Sequence, residues 1–337
     1  MPDRAAGLGG ADGLRLRRLL RLRRRDRRNP RAALPRGPSA RRRARPRARG
    51  GGRVRILNAS GCLDALAAPE VARQLDAFVT KTVTPLPREG SAPPRIAETA
   101  HGMLNAIGLA NPGRELFLAE HLPRLRELGV PLWVSVGGFC AGDYAETCSR
   151  LGEIETIELN LSCPNVDEAA DSAAEIVAAC RAATGLALYA KLSAAHPDVA
   201  DVARAVATAG ADGLSLINTL RATALDKHLH PVLARGSGGL SGPALKPVAL
   251  HAVSVCHEVT GLPIVGMGGI ESGRDALEFA ACGAHDIALG TVLFGDPGAP
   301  ARVRVELVPA CADAGVATPD DARALAKSPE TGRKVPA

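Results

Sequence analysis

The chain is poor in aromatic residues: five Phe, two Tyr and one Trp make up 2% of 337 positions. So few rings weaken any case for base-stacking recognition of single-stranded nucleic acid. The core must then be built from Ala, Val, Leu and Ile, which suits a layered α/β fold, and a 46% hydrophobic content is enough for one. No run of 18 or more apolar residues occurs, so no membrane span is expected. The eight cysteines, at 62, 140, 148, 163, 180, 256, 282 and 311, form no CxxC pair and no Cys/His cluster. That spacing argues against a zinc site or an internal iron–sulfur cluster. With no secretory signal, reduced thiols and a cytoplasmic location are the expectation.

Lysine is missing from one segment. Residues 1–50 hold 18 Arg, 3 Asp and no Lys, a net +15 in a chain whose total is only +7. The remainder is therefore −8, and the basic character belongs to an arm rather than to the globular body. The arm is low in complexity and rich in Arg, Pro, Gly and Ala, a composition that predicts disorder. Three origins stay open: an arm for nucleic acid or acidic surfaces, a transit peptide without the usual serines, or a misassigned start or shifted frame in a GC-rich gene. The expected organisation is an Arg-rich segment over 1–53, one domain over 54–325 and a tail over 326–337.

What the rest of the chain does contain is repetition. Eight short apolar runs read as strands: 54–60, 77–82, 131–138, 156–164, 187–193, 213–219, 263–270 and 286–293. Helical patterns such as "DSAAEIVAACRAATG" and "HPDVADVARAVATAGA" lie between them and end in glycine. Eight β-then-α units over this length predict a (β/α)8 TIM barrel. A doubly wound sheet is the alternative, but no Gly-rich fingerprint follows the first strand. The stretch 85–113 reads as an elaborated loop after the second strand.

Barrel chemistry sits where strands end. Those ends carry Asn58 and Ser60, then Lys81 and Thr82, then Asn160, Cys163 and Asn165, then Lys191, then Asn218 and Thr219. A single strand-end lysine is usually solvated or ion-paired, but this many polar ends together point to a site. Gly268, Gly269, Gly290 and Thr291 follow the last two strands, where such barrels bind phosphate, and they suit a cofactor such as FMN. "SGGLSG" at 237–242 either lets backbone approach a ligand or is a flexible loop. Lysines suit the anionic reduced ring of a flavin, and asparagines suit a planar ligand rich in amides. Cys163 is a candidate general base, a free thiol titrating at about 8.5 before its surroundings act on it. Cys180, Cys256 and Cys282 read as core. Cys62, Cys140 and His101 are given no role.

The motifs "NASGC", "TKTVTPLPREG", "GMLNAIGLANPG", "ELNLSCPNV", "GGLSGPALKP", "GMGGIESGRDALEF" and "LGTVLFGDP" together resemble the class 1 dihydroorotate dehydrogenases, over about Leu57 to Pro297. Within that class the chain is most similar to the 1B, NAD-linked catalytic subunit. The resemblance implies that Cys163 takes the C5 proton of dihydroorotate while a hydride passes from C6 to N5 of FMN. It implies substrate contacts from Lys81, Asn105, Ala106, Ile107, Gly108, Leu109, Asn160, Asn165, Asn218 and Thr219. It implies FMN contacts from Ser60, Lys81, Thr82, Ser135, Asn160, Lys191, Ile217, Gly242, Gly268, Gly269, Gly290 and Thr291. A homodimer and an iron–sulfur, FAD-bearing electron-transfer subunit are the partners it implies, with neither nucleic acid nor membrane.

The chain departs from the family pattern in three places. "DEAADSAAEIV" follows "SCPNV" where a glycine-rich stretch is usual, Ser135 stands where many 1B members have Asn, and the usual N-terminal hairpin is missing or replaced by the Arg-rich segment. Another flavin-dependent dihydropyrimidine oxidoreductase, or a non-redox phosphate-binding barrel, are the alternatives.

Overall fold

The computed structural model describes residues 53–161, 173–196 and 198–325. Cys163 and Asn165 lie outside the described residues, as do the arm up to residue 52 and the tail from 326.

Twelve strands occur among the described residues: β1 (Ile56–Asn58), β2 (Phe78–Val79), β3 (Ile96–Thr99), β4 (Gly102–Asn105), β5 (Leu132–Val136), β6 (Thr156–Asn160), β7 (Ala187–Leu192), β8 (Gly213–Leu216), β9 (Leu220–Ala222), β10 (Gly238–Ser241), β11 (Ile264–Met267) and β12 (Asp286–Leu289). Eight of them form one sheet in the order β1-β12-β11-β8-β7-β6-β5-β2, every neighbour parallel. A parallel bridge between Leu57 and Ala77 joins the two end strands and closes the barrel. The fold is the (β/α)8 barrel that the repeats predict.

Alternation along the strands sorts side chains into two cores. Leu57, Ala77, Val79, Trp133, Val265, Met267 and Ala288 point inward and fill the barrel. The lone Trp thus plugs the interior, its ring 4.7 Å from that of Tyr189. Their neighbours Ile56, Phe78, Val134, Ile157, Leu188 and Ile287 face outward, in one cluster with Ile176, Val206, Val253 and Phe279 of the surrounding helices. Helix starts and stops follow local chemistry. Asp198 accepts the Asp201 N–H to cap helix Val199–Ala209, which Gly210 ends in the left-handed region at φ 109°. A reciprocal Ser272–Asp275 box opens helix Gly273–Ala281.

The main difference from the sequence reading lies in 85–113. Two strands, β3 and β4, arise inside this presumed loop and form a four-stranded antiparallel sheet, in the order β3-β4-β10-β9. β10 is the "GGLS" of the glycine-rich stretch, paired with β4 through Leu240–Leu104. Its glycines are there for close packing, since a Cβ on Gly239 would sit 2.1 Å from Thr219 Oγ1. The barrel strands also end earlier than expected, at Asn160 for β6 and Leu289 for β12, and a helical turn runs over Val292–Gly295.

Candidate active site

The carboxyl ends of the barrel strands and the inner edge of the small sheet enclose a cavity of about 360 Å³. Strand β1 and the turn after it contribute Ser60 and Cys62, and the end of β2 contributes Lys81 and Thr82. Strands β6 and β7 contribute Asn160 and Lys191, and the residues after β8 contribute Ile217, Asn218 and Thr219. The last two barrel strands bring Gly268, Gly269, Gly290 and Thr291 to the same space, and the small sheet brings Asn105, Ile107, Leu109 and Gly242. Three candidates fall elsewhere. Ala106 is buried and packs against Leu104 and Leu233, Gly108 turns away at φ 74°, and Ser135 lies fully buried below the cavity floor.

Among the described residues, a line of hydrogen bonds runs across the site. The Thr219 N–H donates to Asn218 Oδ1 at 2.8 Å, and Asn218 Nδ2 donates to Asn160 Oδ1 at 3.1 Å. Asn160 Nδ2 donates to Thr82 Oγ1 at 3.1 Å, which lies 3.0 Å from Ser135 Oγ. Ser135 Oγ in turn donates to Glu158 Oε1 at 3.2 Å. The backbone carbonyl of Asn160 is held from outside the barrel by the Tyr144 hydroxyl at 2.8 Å. Each amide therefore has one fixed orientation, and the line has one polarity.

Charge enters from β2 and β7. Lys191 is 5% exposed and its ammonium lies 3.5 Å from Glu158, itself 1% exposed. Gly61, at φ 82°, leaves room for the second lysine, because a Cβ there would lie 3.0 Å from Lys81 Nζ. Burial pushes the Cys62 thiol above its usual range, and the charge of Glu158 adds to this, while Lys191 and Lys81 pull it down. Opposite this charged side, Gly268 and Gly269 adopt φ of 122° and 81°. A Cβ on Gly269 would come within 2.9 Å of the Gly242 carbonyl, and one on Gly242 within 2.6 Å of Gly102 Cα. Thr291 Oγ1 donates to Ser241 Oγ at 2.8 Å, tying the barrel to the small sheet.

Several lining residues lie inside the quoted motifs but are assigned no contact in the sequence analysis: Cys62, Met103, Ser241, Met267, Glu271 and Phe294. Met103 and Ser241 belong to the small sheet, which reads as loop. Glu158 does have a signal, since it stands two residues before Asn160 on a strand of period two. His101 is exposed and does not line the cavity. No group of three His, Cys, Asp or Glu able to hold a metal ion occurs among the described residues.

Residues 54–310 match the family model described as dihydroorotate dehydrogenase. The catalytic subunit of dihydroorotate dehydrogenase B (NAD(+)) from Listeria welshimeri is 45% identical over 235 residues, 66% of this chain and 77% of the relative. The same subunit from Halalkalibacterium halodurans is 43% identical over 256 residues, 72% of this chain and 84% of the relative. Among solved structures, ligand-free dihydroorotate dehydrogenase from Eimeria tenella superimposes with a TM-score of 0.68 at 24% identity, covering 81% of this chain and 89% of that one.

Proposed function

The chain belongs to the dihydroorotate dehydrogenase family, and on that premise we propose that it oxidises dihydroorotate to orotate in pyrimidine biosynthesis, as the catalytic subunit of a 1B, NAD-linked enzyme. The observation that carries this reading is the line of amides from Thr219 to Asn160, lying between two lysines at one barrel mouth.

The residues present fit FMN. Crowded glycine backbone at 242, 268 and 269 leaves a surface without side chains, suited to a phosphate, and Gly290 and Thr291 complete it. Ser60, Thr82 and Ile217 would line the ring, with Lys191 and Lys81 placing positive charge beside it. When bound, FMN supplies the hydride acceptor for the reaction.

This chain's own groups do the rest. Asn160 and Asn218 offer amide donors and acceptors at fixed orientations to a planar imide, and Asn105 adds a third amide from the small sheet. Lys81 is placed to meet the substrate carboxylate. Leu109, at φ 58°, and Ile107 supply an apolar edge that keeps water from the reacting carbons. Cys163, five residues beyond Glu158 in "ELNLSCPN", takes the C5 proton on its sulfur, and Asn165 adds a substrate contact. Electrons leave through a separate iron–sulfur, FAD-bearing subunit, the catalytic chain is a homodimer, and the enzyme works in the cytoplasm. No helix among the described residues is long and apolar enough to cross a membrane.

The test is orotate formation by the purified, FMN-loaded chain with an artificial acceptor. Cys163→Ala should lower turnover by at least about a hundredfold, the lower end for a lost general base, with flavin content unchanged. Undiminished turnover in that variant would remove Cys163 from the role of base.

A further inference from the structure

Glu158 has no part in the reading above, yet two separate sets of donors end on it. The Lys191 ammonium lies 3.5 Å from its Oε1, and Ser135 Oγ donates to the same oxygen at 3.2 Å. Through Ser135 it terminates the line that begins at the Thr219 amide. Strand register explains the convergence: Ser135 pairs with Glu158 across β5–β6, and Asn160 pairs with Lys191 across β6–β7. Ser215, beside Lys191 across β7–β8, offers no substitute, for its buried hydroxyl has no hydrogen-bond partner among the described residues.

A buried carboxylate and a buried ammonium are each costly alone, and a buried pair need not stabilise a fold any better than apolar residues would. The position of this pair, directly beneath the cavity, points to the site. We infer that Glu158 is a positioning residue, holding the Lys191 ammonium in place at the flavin while fixing the orientation of the Asn160 and Asn218 amides through Ser135 and Thr82. This rests on the proposed flavin reading of the cavity. Among the described residues, the titratable groups around this cluster include Lys81 from the end of β2, Cys62 from the turn after β1 and Tyr189, two residues before Lys191 on β7, and Glu271 lines the same cavity. The Cys62 thiol feels Lys191, Lys81 and Glu158 together, which places all four groups in one electrostatic cluster.

Glu158→Gln removes the charge that faces the Lys191 ammonium but keeps an oxygen able to accept from Ser135. The FMN dissociation constant, followed by quenching of flavin fluorescence, should rise by about tenfold in Glu158→Gln, with Glu158→Asp restoring most of the affinity. Lys191→Met should itself weaken FMN binding, and adding Glu158→Gln to it should change nothing further.

Thermal melts of the flavin-free variants give a second readout. Glu158→Gln leaves the buried Lys191 cation without its carboxylate, so it should melt below the parent, and the double variant should melt above Glu158→Gln. An FMN dissociation constant for Glu158→Gln equal to the parent's, or a rise of equal size in the Lys191→Met background, would overturn the inference. Failure of the parent to take up FMN would instead overturn the reading of the cavity, and the melts would still decide whether Glu158 governs Lys191.

Discussion

The side-chain amide of Asn218 donates to Asn160 Oδ1 at 3.1 Å, joining the end of β6 to the segment after β8 across the barrel mouth. Two residues 58 positions apart thereby present one donor–acceptor array. Asn160→Ala cuts this line in the middle and strands the Asn218 and Thr82 partners. Leaving such groups unsatisfied costs about 1–3 kcal/mol. The expected result is a fall in kcat/KM for dihydroorotate of about ten- to a hundredfold, with the far-ultraviolet circular dichroism of the parent.

Gly269 tests the phosphate surface. At φ 81°, with the Gly242 carbonyl oxygen and Lys246 Cβ both 2.9 Å from where a Cβ would stand, alanine must displace backbone. Gly269→Ala should purify with little bound flavin and show an FMN dissociation constant raised by at least about tenfold, near the 1.4 kcal/mol that corresponds to one decade. Equilibrium dialysis against FMN measures it.

The barrel plug carries stability rather than chemistry. Trp133 is 2% exposed and stacks at a tilt on Tyr189. Trp133→Ala should lose about 3–5 kcal/mol of folding free energy, read from urea denaturation of the flavin-free chain.

Cys62 gives a pH prediction. Burial raises its thiol pKa in the folded chain, so the folded state holds the proton more tightly than the unfolded one. Its contribution to stability is complete below the unfolded value of about 8.5 and is lost as pH rises through the higher folded value. Alkylation of Cys62 at about pH 8.5, followed by mass spectrometry, should be at least about tenfold slower in the folded chain than in urea.

Much of the barrel was legible because its strands are short, largely apolar runs buried on both faces, as in "LWVSV" and the β8 "GLSL". The small sheet was not. β3 alternates exposed and half-buried residues, and β4 pairs with β10 through residues as remote in sequence as Leu104 and Leu240, so no local pattern announces the pairing. The strand-end residues Ser60, Lys81, Thr82, Asn160, Lys191, Asn218 and Thr219 could be named because β-then-α order puts every strand's carboxyl end at one face. Ser135 could be named but not layered, since only the folded register shows that it lies under Thr82 and against Glu158. Glu158 shares the face of Asn160 by its two-residue spacing, but only the closed barrel shows that this carboxylate is buried against Lys191 and Ser135.

The most direct test of the whole account is a half-reaction without oxygen. The purified chain, loaded with FMN, is mixed anaerobically with dihydroorotate while its visible flavin band is recorded. Bleaching of the band with release of an equal amount of orotate is the predicted result. A chain that takes up no flavin, or a flavin band that dihydroorotate leaves unchanged, would contradict it.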